Sequence, residues 1–152
     1  MTFLKFIIIF LVFILGVHIL ATIYHLYWIF YWFDIPMHFL GGFWVAMVFI
    51  WLNSKFKILN ASFSNNLIII ILSALCFVAL IGVFWEFFEF FYDFFISSKT
   101  HSDFFQLGAF DTIKDLFFDL FGGLILIMLT FLLFKKTIKL NINQKKDYEH
   151  KP

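Results

Sequence analysis

Six ionisable side chains occur in pairs at helical spacing within otherwise apolar segments of this sequence. The two members of each pair are three or four positions apart, which places them on one face of an α-helix. Carboxylates and imidazoles are groups that act as general acids and bases and that bind metal ions. The six residues are Asp34, His38, Glu86, Glu89, Asp115 and Asp119.

The chemistry that these groups predict is cation binding or proton sharing. Like charges close together in a medium of low dielectric constant repel, so some carboxyls must be protonated, paired or bound to a cation. Oxygen ligands favour hard divalent cations, and a histidine would admit zinc or manganese. The candidate metal ligands are His38, Glu86, Glu89, Asp115 and Asp119.

Three of these residues are also the candidate catalytic groups, namely Glu86, Glu89 and Asp115. A metal ion there could polarise a phosphate or activate water while one carboxylate acts as a base. The sequence contains no zinc-protease motif, and it leaves open whether the protein is an enzyme.

The composition is typical of a membrane protein. Of the 152 residues 63% are hydrophobic, and the mean hydropathy is +0.97. A domain of this size has too little interior to bury so much apolar surface, so lipid must solvate much of it. The formal net charge of +1 argues against nucleic-acid binding. Cys76 is the only cysteine, which excludes an intramolecular disulfide.

Four long apolar segments predict an all-α bundle of about four transmembrane helices. We expect a transmembrane domain over residues 1–134 and a Lys-rich tail over 135–152. Asp111 is a predicted N-cap for the fourth helix, since its side chain can accept a hydrogen bond from the first turn. The predicted spans are Phe6–Phe33, Pro36–Leu52, Leu67–Phe95 and Asp111–Phe134.

The distribution of lysines predicts the orientation of the bundle. Four spans put both termini on one side, and most lysines flank that same side, so the positive-inside rule makes both termini cytoplasmic. The six ionisable residues then lie at the outer ends of their helices, near the headgroups. This depth favours a site for lipid headgroups over a transport site at the midplane. The lysines are Lys5, Lys55, Lys57, Lys135, Lys136 and Lys139.

Two glycine pairs, Gly41–Gly42 and Gly122–Gly123, follow the polar residues of the second and fourth spans at the same spacing. Small residues let membrane helices approach closely. We expect the two helices to pack through these pairs, which would bring His38 and Asp119 near one another.

The order of these motifs resembles the YjdF-like bacterial inner-membrane proteins of unknown function and, more loosely, the VanZ-like family. The resemblance implies a multi-pass protein of the bacterial plasma membrane. The VanZ-like family is named for a link to glycopeptide resistance. The chain lacks the arginine of the VanZ pattern and has Glu89 where that family usually has glutamine, so the resemblance does not imply a role in resistance. The residues that carry the resemblance are Asp34, Pro36, His38, Gly41, Gly42, Trp85, Glu86, Glu89, Asp111, Asp115, Asp119, Gly122 and Gly123.

Three functions remain open from the sequence. The first is a metal-dependent enzyme or binding protein for a lipid or lipid-linked headgroup. The second is an ion or proton pathway, although the inner halves of the spans carry few polar residues beyond His18, Ser73 and Thr130. The third is a structural or regulatory membrane protein whose acid–histidine network only fixes helix packing. Membrane lipids are the expected partners, and a homo-oligomer is a further prediction.

Overall fold

The computed structural model describes residues 2–59, 67–100, 105 and 107–149, without the side chains of residues 100 and 134–149. All regular elements in these residues are helical, and four helices are long and apolar enough to cross a membrane. The elements are α1 (Phe3–Ile23), α2 (Leu26–Ile29), α3 (Asp34–Phe56), α4 (Leu67–Tyr92), a π-helical turn (Asp93–Ser97), α5 (Ser98–Thr100) and α6 (Ala109–Glu149). The predicted fold class is therefore confirmed.

The first helix is shorter than predicted, because the chain turns after Ile23. His25 has a φ of 53°, and this left-handed conformation separates α1 from the short helix α2. The aromatic residues that follow are as apolar as the helix itself, so hydropathy alone could not show the break.

The start of α3 has favourable local chemistry. Asp34 lies in the first turn, where its negative charge interacts favourably with the helix dipole. Pro36 is also in the first turn, where its missing N–H would have no partner within the helix.

The start of α6 differs from the prediction. The helix begins at Ala109, after Gly108 with a φ of 111°, so Asp111 lies in the first turn and is not the N-cap. Its carboxylate still serves the helix start, since Oδ2 accepts a hydrogen bond from the backbone N–H of Leu107 at 3.1 Å. The backbone of α6 remains helical through Glu149, so it includes most of the Lys-rich tail, and residues 150–152 lie outside the described residues.

The core forms where α3, α4 and α6 meet. α3 makes its most extensive contacts with α6, and α4 packs against both. Two apolar clusters occupy the half of the bundle away from the start of α3. The first contains Val45, Ala46 and Val78, and the second contains Phe49, Ala74 and Ile127.

α1 packs mainly on α3 and leaves most of its surface exposed. Its buried residues Ile7, Ile14 and Ala21 are seven positions apart, so they form one narrow stripe. The indole N–H of Trp44 donates to the Ile7 carbonyl oxygen at 3.0 Å, which ties α3 to this stripe.

Candidate functional site

The starts of α3 and α6 and the end of α4 lie together at one end of the bundle, which we call the acidic end. His38 is at its centre, and its ring is surrounded by carboxylates from two helices. Nε2 lies 3.4 Å from Oδ1 of Asp34 and 4.0 Å from Oδ2 of Asp115. Nδ1 lies 3.4 Å from Oδ1 of Asp119. A protonated ring can donate to carboxylates on both sides, whereas a neutral ring can donate to only one side.

The α4 carboxylates approach the same histidine. Glu86 and Glu89 are buried, with 4% and 8% of their surface exposed, and each offers an oxygen within 4.8 Å of the other and of a ring nitrogen of His38. The indole N–H of Trp85 donates to Oε1 of Glu89 at 2.8 Å and fixes this carboxylate. The structure therefore brings all six ionisable residues together.

Within the described part of the chain, two sets of side chains have the spacing of a metal site, and both include His38. One set is Asp34, His38 and Asp115; the other is His38, Glu86 and Glu89. Within each set the candidate ligand atoms lie within 4.8 Å of one another. One imidazole and several carboxylates form a donor set that suits magnesium, manganese or zinc. The residues present therefore fit a divalent cation.

Lys114 is the second positive group at the acidic end, and it is one of the few cations that the sequence places beside the acidic residues. Its Nζ lies 2.6 Å from Oδ1 of Asp111, 3.3 Å from Oδ1 of Asp115 and 3.6 Å from Oδ2 of Asp34. This lysine therefore connects the first turn of α3 with the first two turns of α6. The sequence feature that indicates a role for Lys114 is its position between Asp111 and Asp115, which lie on one face of the helix.

The glycine pairs lie at the contact between α3 and α6. A Cβ on Gly42 would overlap the backbone carbonyl oxygen of Asp119, and a Cβ on Gly122 would overlap the carbonyl oxygen of Phe39. Gly82 of α4 completes this contact, because a Cβ there would lie 2.7 Å from Oδ2 of Asp119. Gly82 is not part of a glycine pair and was not predicted from the sequence. Only glycine allows the three backbones to enclose Asp119 so closely.

Asp93 follows Glu86 and Glu89 at a spacing that places all three on one helix face, but it has a different structural role. Its Oδ1 accepts hydrogen bonds from the Ser97 hydroxyl and from the backbone N–H of Phe105, both at 3.0 Å. The carboxylate therefore ties the π-helical turn to the segment that precedes α6.

His18 and Tyr27 form a second polar contact beside the cluster. Nδ1 of His18 lies 2.7 Å from the Tyr27 hydroxyl oxygen. Burial raises the pKa of the Tyr27 hydroxyl, and the carboxylates of Asp34 and Glu89 raise it further. The hydroxyl therefore keeps its proton, which it can donate to His18.

A cavity of about 200 Å³ opens beside the acidic cluster. Its walls are mostly apolar and include Leu11, Ile14, Trp44 and Ile81. One end is charged and is lined by Asp34, His38, Glu89, Asp111, Lys114 and Asp119. The cavity is thus amphipathic.

Four apolar helices and a buried acid–histidine cluster define a small multi-pass membrane protein. The chain belongs to the DUF2238 family, described as predicted membrane proteins, whose model matches residues 1–136. DUF2238 is the YjdF family, so the sequence motifs indicated the right family. No curated protein matches the chain. No solved structure matches it either.

Proposed function

We propose that the protein binds a divalent cation at the acidic end and uses it to hold the phosphate of a lipid or lipid-linked headgroup. Charge balance supports the cation. Lys114 and, when protonated, His38 face more carboxylates than they can neutralise. The carboxylates are Asp34, Glu86, Glu89, Asp111, Asp115 and Asp119.

The amphipathic cavity is the observation that carries the proposal for a lipid. An occupant with an apolar chain would contact the α1 and α3 walls, while its polar group would reach the charged end. Lys114 lines that end and has a compact positive charge, which suits a phosphate oxygen. In this proposal, the acidic end faces the outside of a bacterial plasma membrane and both termini are cytoplasmic.

The candidate catalytic residues keep distinct roles within this proposal. A bound divalent cation would supply Lewis acidity toward a phosphate oxygen or a water molecule. Glu89 is held by Trp85, so its carboxylate is oriented before a ligand arrives. Asp115 is almost fully buried and lies between His38 and Lys114, where it can share a proton or hold the cation.

Metal content tests the proposal directly. The full chain would be purified in dodecyl maltoside, resupplied in turn with magnesium, manganese, calcium and zinc, and analysed by mass spectrometry for bound metal. We expect about one equivalent of one metal in the wild type and a loss of at least tenfold in affinity in the folded variants Glu89→Gln and Asp115→Asn. Wild-type protein without metal after resupply would refute the proposed cation site.

Asp93→Asn is the matched control. Asp93 is as buried as the cluster, with 6% of its surface exposed, but its Oδ1 serves Ser97 and Phe105. The amide keeps an oxygen acceptor, so the variant should fold and retain wild-type metal content. An equal loss of metal in all three variants would indicate a general effect of removing buried charge.

A structural network is the second candidate function, and the contacts of Lys114 favour it. Three aspartates lie within 3.6 Å of its Nζ, an arrangement that can hold α3 and α6 together without a metal ion. In that case Asp115→Asn should lower the stability of the metal-free protein. The wild type should then show no metal binding for the variant to lose.

An ion or proton pathway has less support in the described part of the bundle. Beyond Asp119 the buried side chains that the structure describes along the shared core are apolar, and they include the two apolar clusters. The looser VanZ likeness rests on shared motifs alone, so it adds no function to this proposal.

A further inference from the structure

A second pocket, of about 270 Å³, opens between the end of α1 and the end of α4. Five of its side chains are aromatic rings, which we call the aromatic box: His18, Trp85, Phe88, Tyr92 and Phe105. The rings contact one another in a closed circuit. The distances between ring centroids are 5.4 Å for Trp85–Phe88, 6.2 Å for Phe88–Tyr92, 5.1 Å for Tyr92–Phe105, 6.3 Å for Phe105–His18 and 5.8 Å for His18–Trp85.

The helix spacing explains how one element supplies most of the box. Trp85, Phe88 and Tyr92 are three and four positions apart, so they line one face of α4. Phe105 is brought to this face because its backbone N–H donates to Asp93, the first residue of the π-helical turn that follows α4. The hydrogen bond between His18 and Tyr27 orients the ring on the α1 side.

Among the residues that the structure describes, Glu89 is the carboxylate that lines this pocket. Its side chain is fixed by the Trp85 indole and is 8% exposed, so a negative charge on this carboxylate would act on the pocket with little screening by water. Aromatic faces are electron-rich and attract cations, and a nearby carboxylate adds to that attraction.

We propose that the aromatic box binds an organic ammonium ion, with the trimethylammonium group of choline as the type of ligand that it fits. A small inorganic cation would prefer several oxygen ligands, whereas the described lining of this pocket offers one carboxylate and five rings. An alkylated ammonium carries its charge on an apolar surface, which suits recognition by aromatic rings. The ammonium could belong to a free small molecule or to a lipid headgroup. The proposal does not require a metal ion at His38.

Calorimetric titration of the full chain with choline tests the box. The protein would be kept in dodecyl maltoside with EDTA, so that metal binding does not contribute. The control ligand is 3,3-dimethylbutan-1-ol, which has the shape of choline with a carbon atom in place of the charged nitrogen. We expect choline to bind at least tenfold more tightly. Equal binding of the two ligands, or no binding of either, would overturn the proposal.

A matched pair of variants locates the binding. Phe88→Leu removes a ring of the box, whereas Phe87→Leu makes the same change at a neighbouring residue with similar exposure, 54% against 56%, that does not line the pocket. We expect a loss of about fivefold to tenfold in choline affinity for Phe88→Leu and wild-type affinity for Phe87→Leu. Glu89→Gln should lose at least as much as Phe88→Leu. Unchanged binding in both Phe88→Leu and Glu89→Gln would place choline elsewhere and refute the assignment.

Two further measurements complete the test. The first distinguishes a lipid headgroup from a free ammonium compound, and the second distinguishes the aromatic box from the proposed metal site. Tighter binding of lysophosphatidylcholine than of choline would identify a lipid headgroup, and the reverse order would identify a free ammonium compound; both support an ammonium site. Asp115→Asn lies outside the box and should keep choline affinity while losing metal. Loss of choline binding in Asp115→Asn as well as in Glu89→Gln would contradict an independent box.

Discussion

The two ends of the three-helix core are held together by different forces. At the acidic end, α3 and α6 approach through Gly42 and Gly122, and charged side chains fill the space around His38. In the opposite half, the same helices are separated by the apolar side chains of two clusters, which include Phe49 and Ile127. Close backbone approach and charge compensation hold one end, and side-chain volume holds the other.

This difference has a consequence for function. Burying charges costs free energy unless each is paired, so an acidic end maintained only for stability would be an inefficient way to pack helices. The apolar half shows that the chain can pack the same helices without ions. This contrast favours the proposed ligand site over a purely structural network, and the following variants test it.

His38→Leu should have the largest effect. It removes the imidazole between Asp34, Asp115 and Asp119 and leaves their buried carboxylates with less compensation. We expect the free energy of unfolding to fall by about 3–5 kcal/mol, measured by denaturation with SDS in mixed micelles. His18→Leu is the comparison, since it loses the hydrogen bond to Tyr27 and should cost only about 1 kcal/mol. Equal losses would contradict the central role of His38.

Gly42→Ala should have the next largest effect, because the added Cβ would overlap the Asp119 carbonyl and force α3 and α6 apart. We expect a loss of about 1–3 kcal/mol in the same assay, together with weaker metal binding. Gly16→Ala is the matched control, because its Cβ would meet no atom within 4 Å. That variant should be neutral or slightly stabilising through its higher helix propensity. A neutral Gly42→Ala would show that the helices do not need this close approach.

Ile127→Val tests the apolar half with a smaller change. Ile127 is 3% exposed, and loss of one methylene group there should cost about 0.5–1.5 kcal/mol. Metal content should remain at the wild-type level, because this residue belongs to the cluster away from the acidic end. Ile113→Val on the same helix should have almost no effect on stability, since Ile113 is 67% exposed. Metal loss in Ile127→Val would show that the two halves are coupled.

The sequence predicted the features that follow from regular helical spacing. The apolar spans, the pairs of acids and the glycine pairs all depend on a period of 3.6 residues, which the helices preserve. The features that were missed depend on irregular backbone or on contacts between helices. The turn at His25, the contact of Phe105 with Asp93, and the ion pair of Lys114 with Asp34 of another helix are set by where segments meet in space. Spacing along one helix carries no information about them.

Tyr27→Phe should have an effect no larger than that of Ile127→Val, and it tests where the acidic end meets water. The variant loses the hydrogen bond to His18, which should cost about 1 kcal/mol near neutral pH. Because burial raises the pKa of Tyr27 above its ordinary value of 10.0, the folded protein keeps a proton that the unfolded chain loses. The contribution of the Tyr27 hydroxyl to the free energy of unfolding is therefore present below about pH 10 and decreases as the pH rises above that value. The free energy of unfolding, measured from pH 8 to pH 11, should fall less steeply in Tyr27→Phe than in the wild type. Parallel curves would mean that the hydroxyl is solvated in the folded protein and that the acidic end is open to water beside α2.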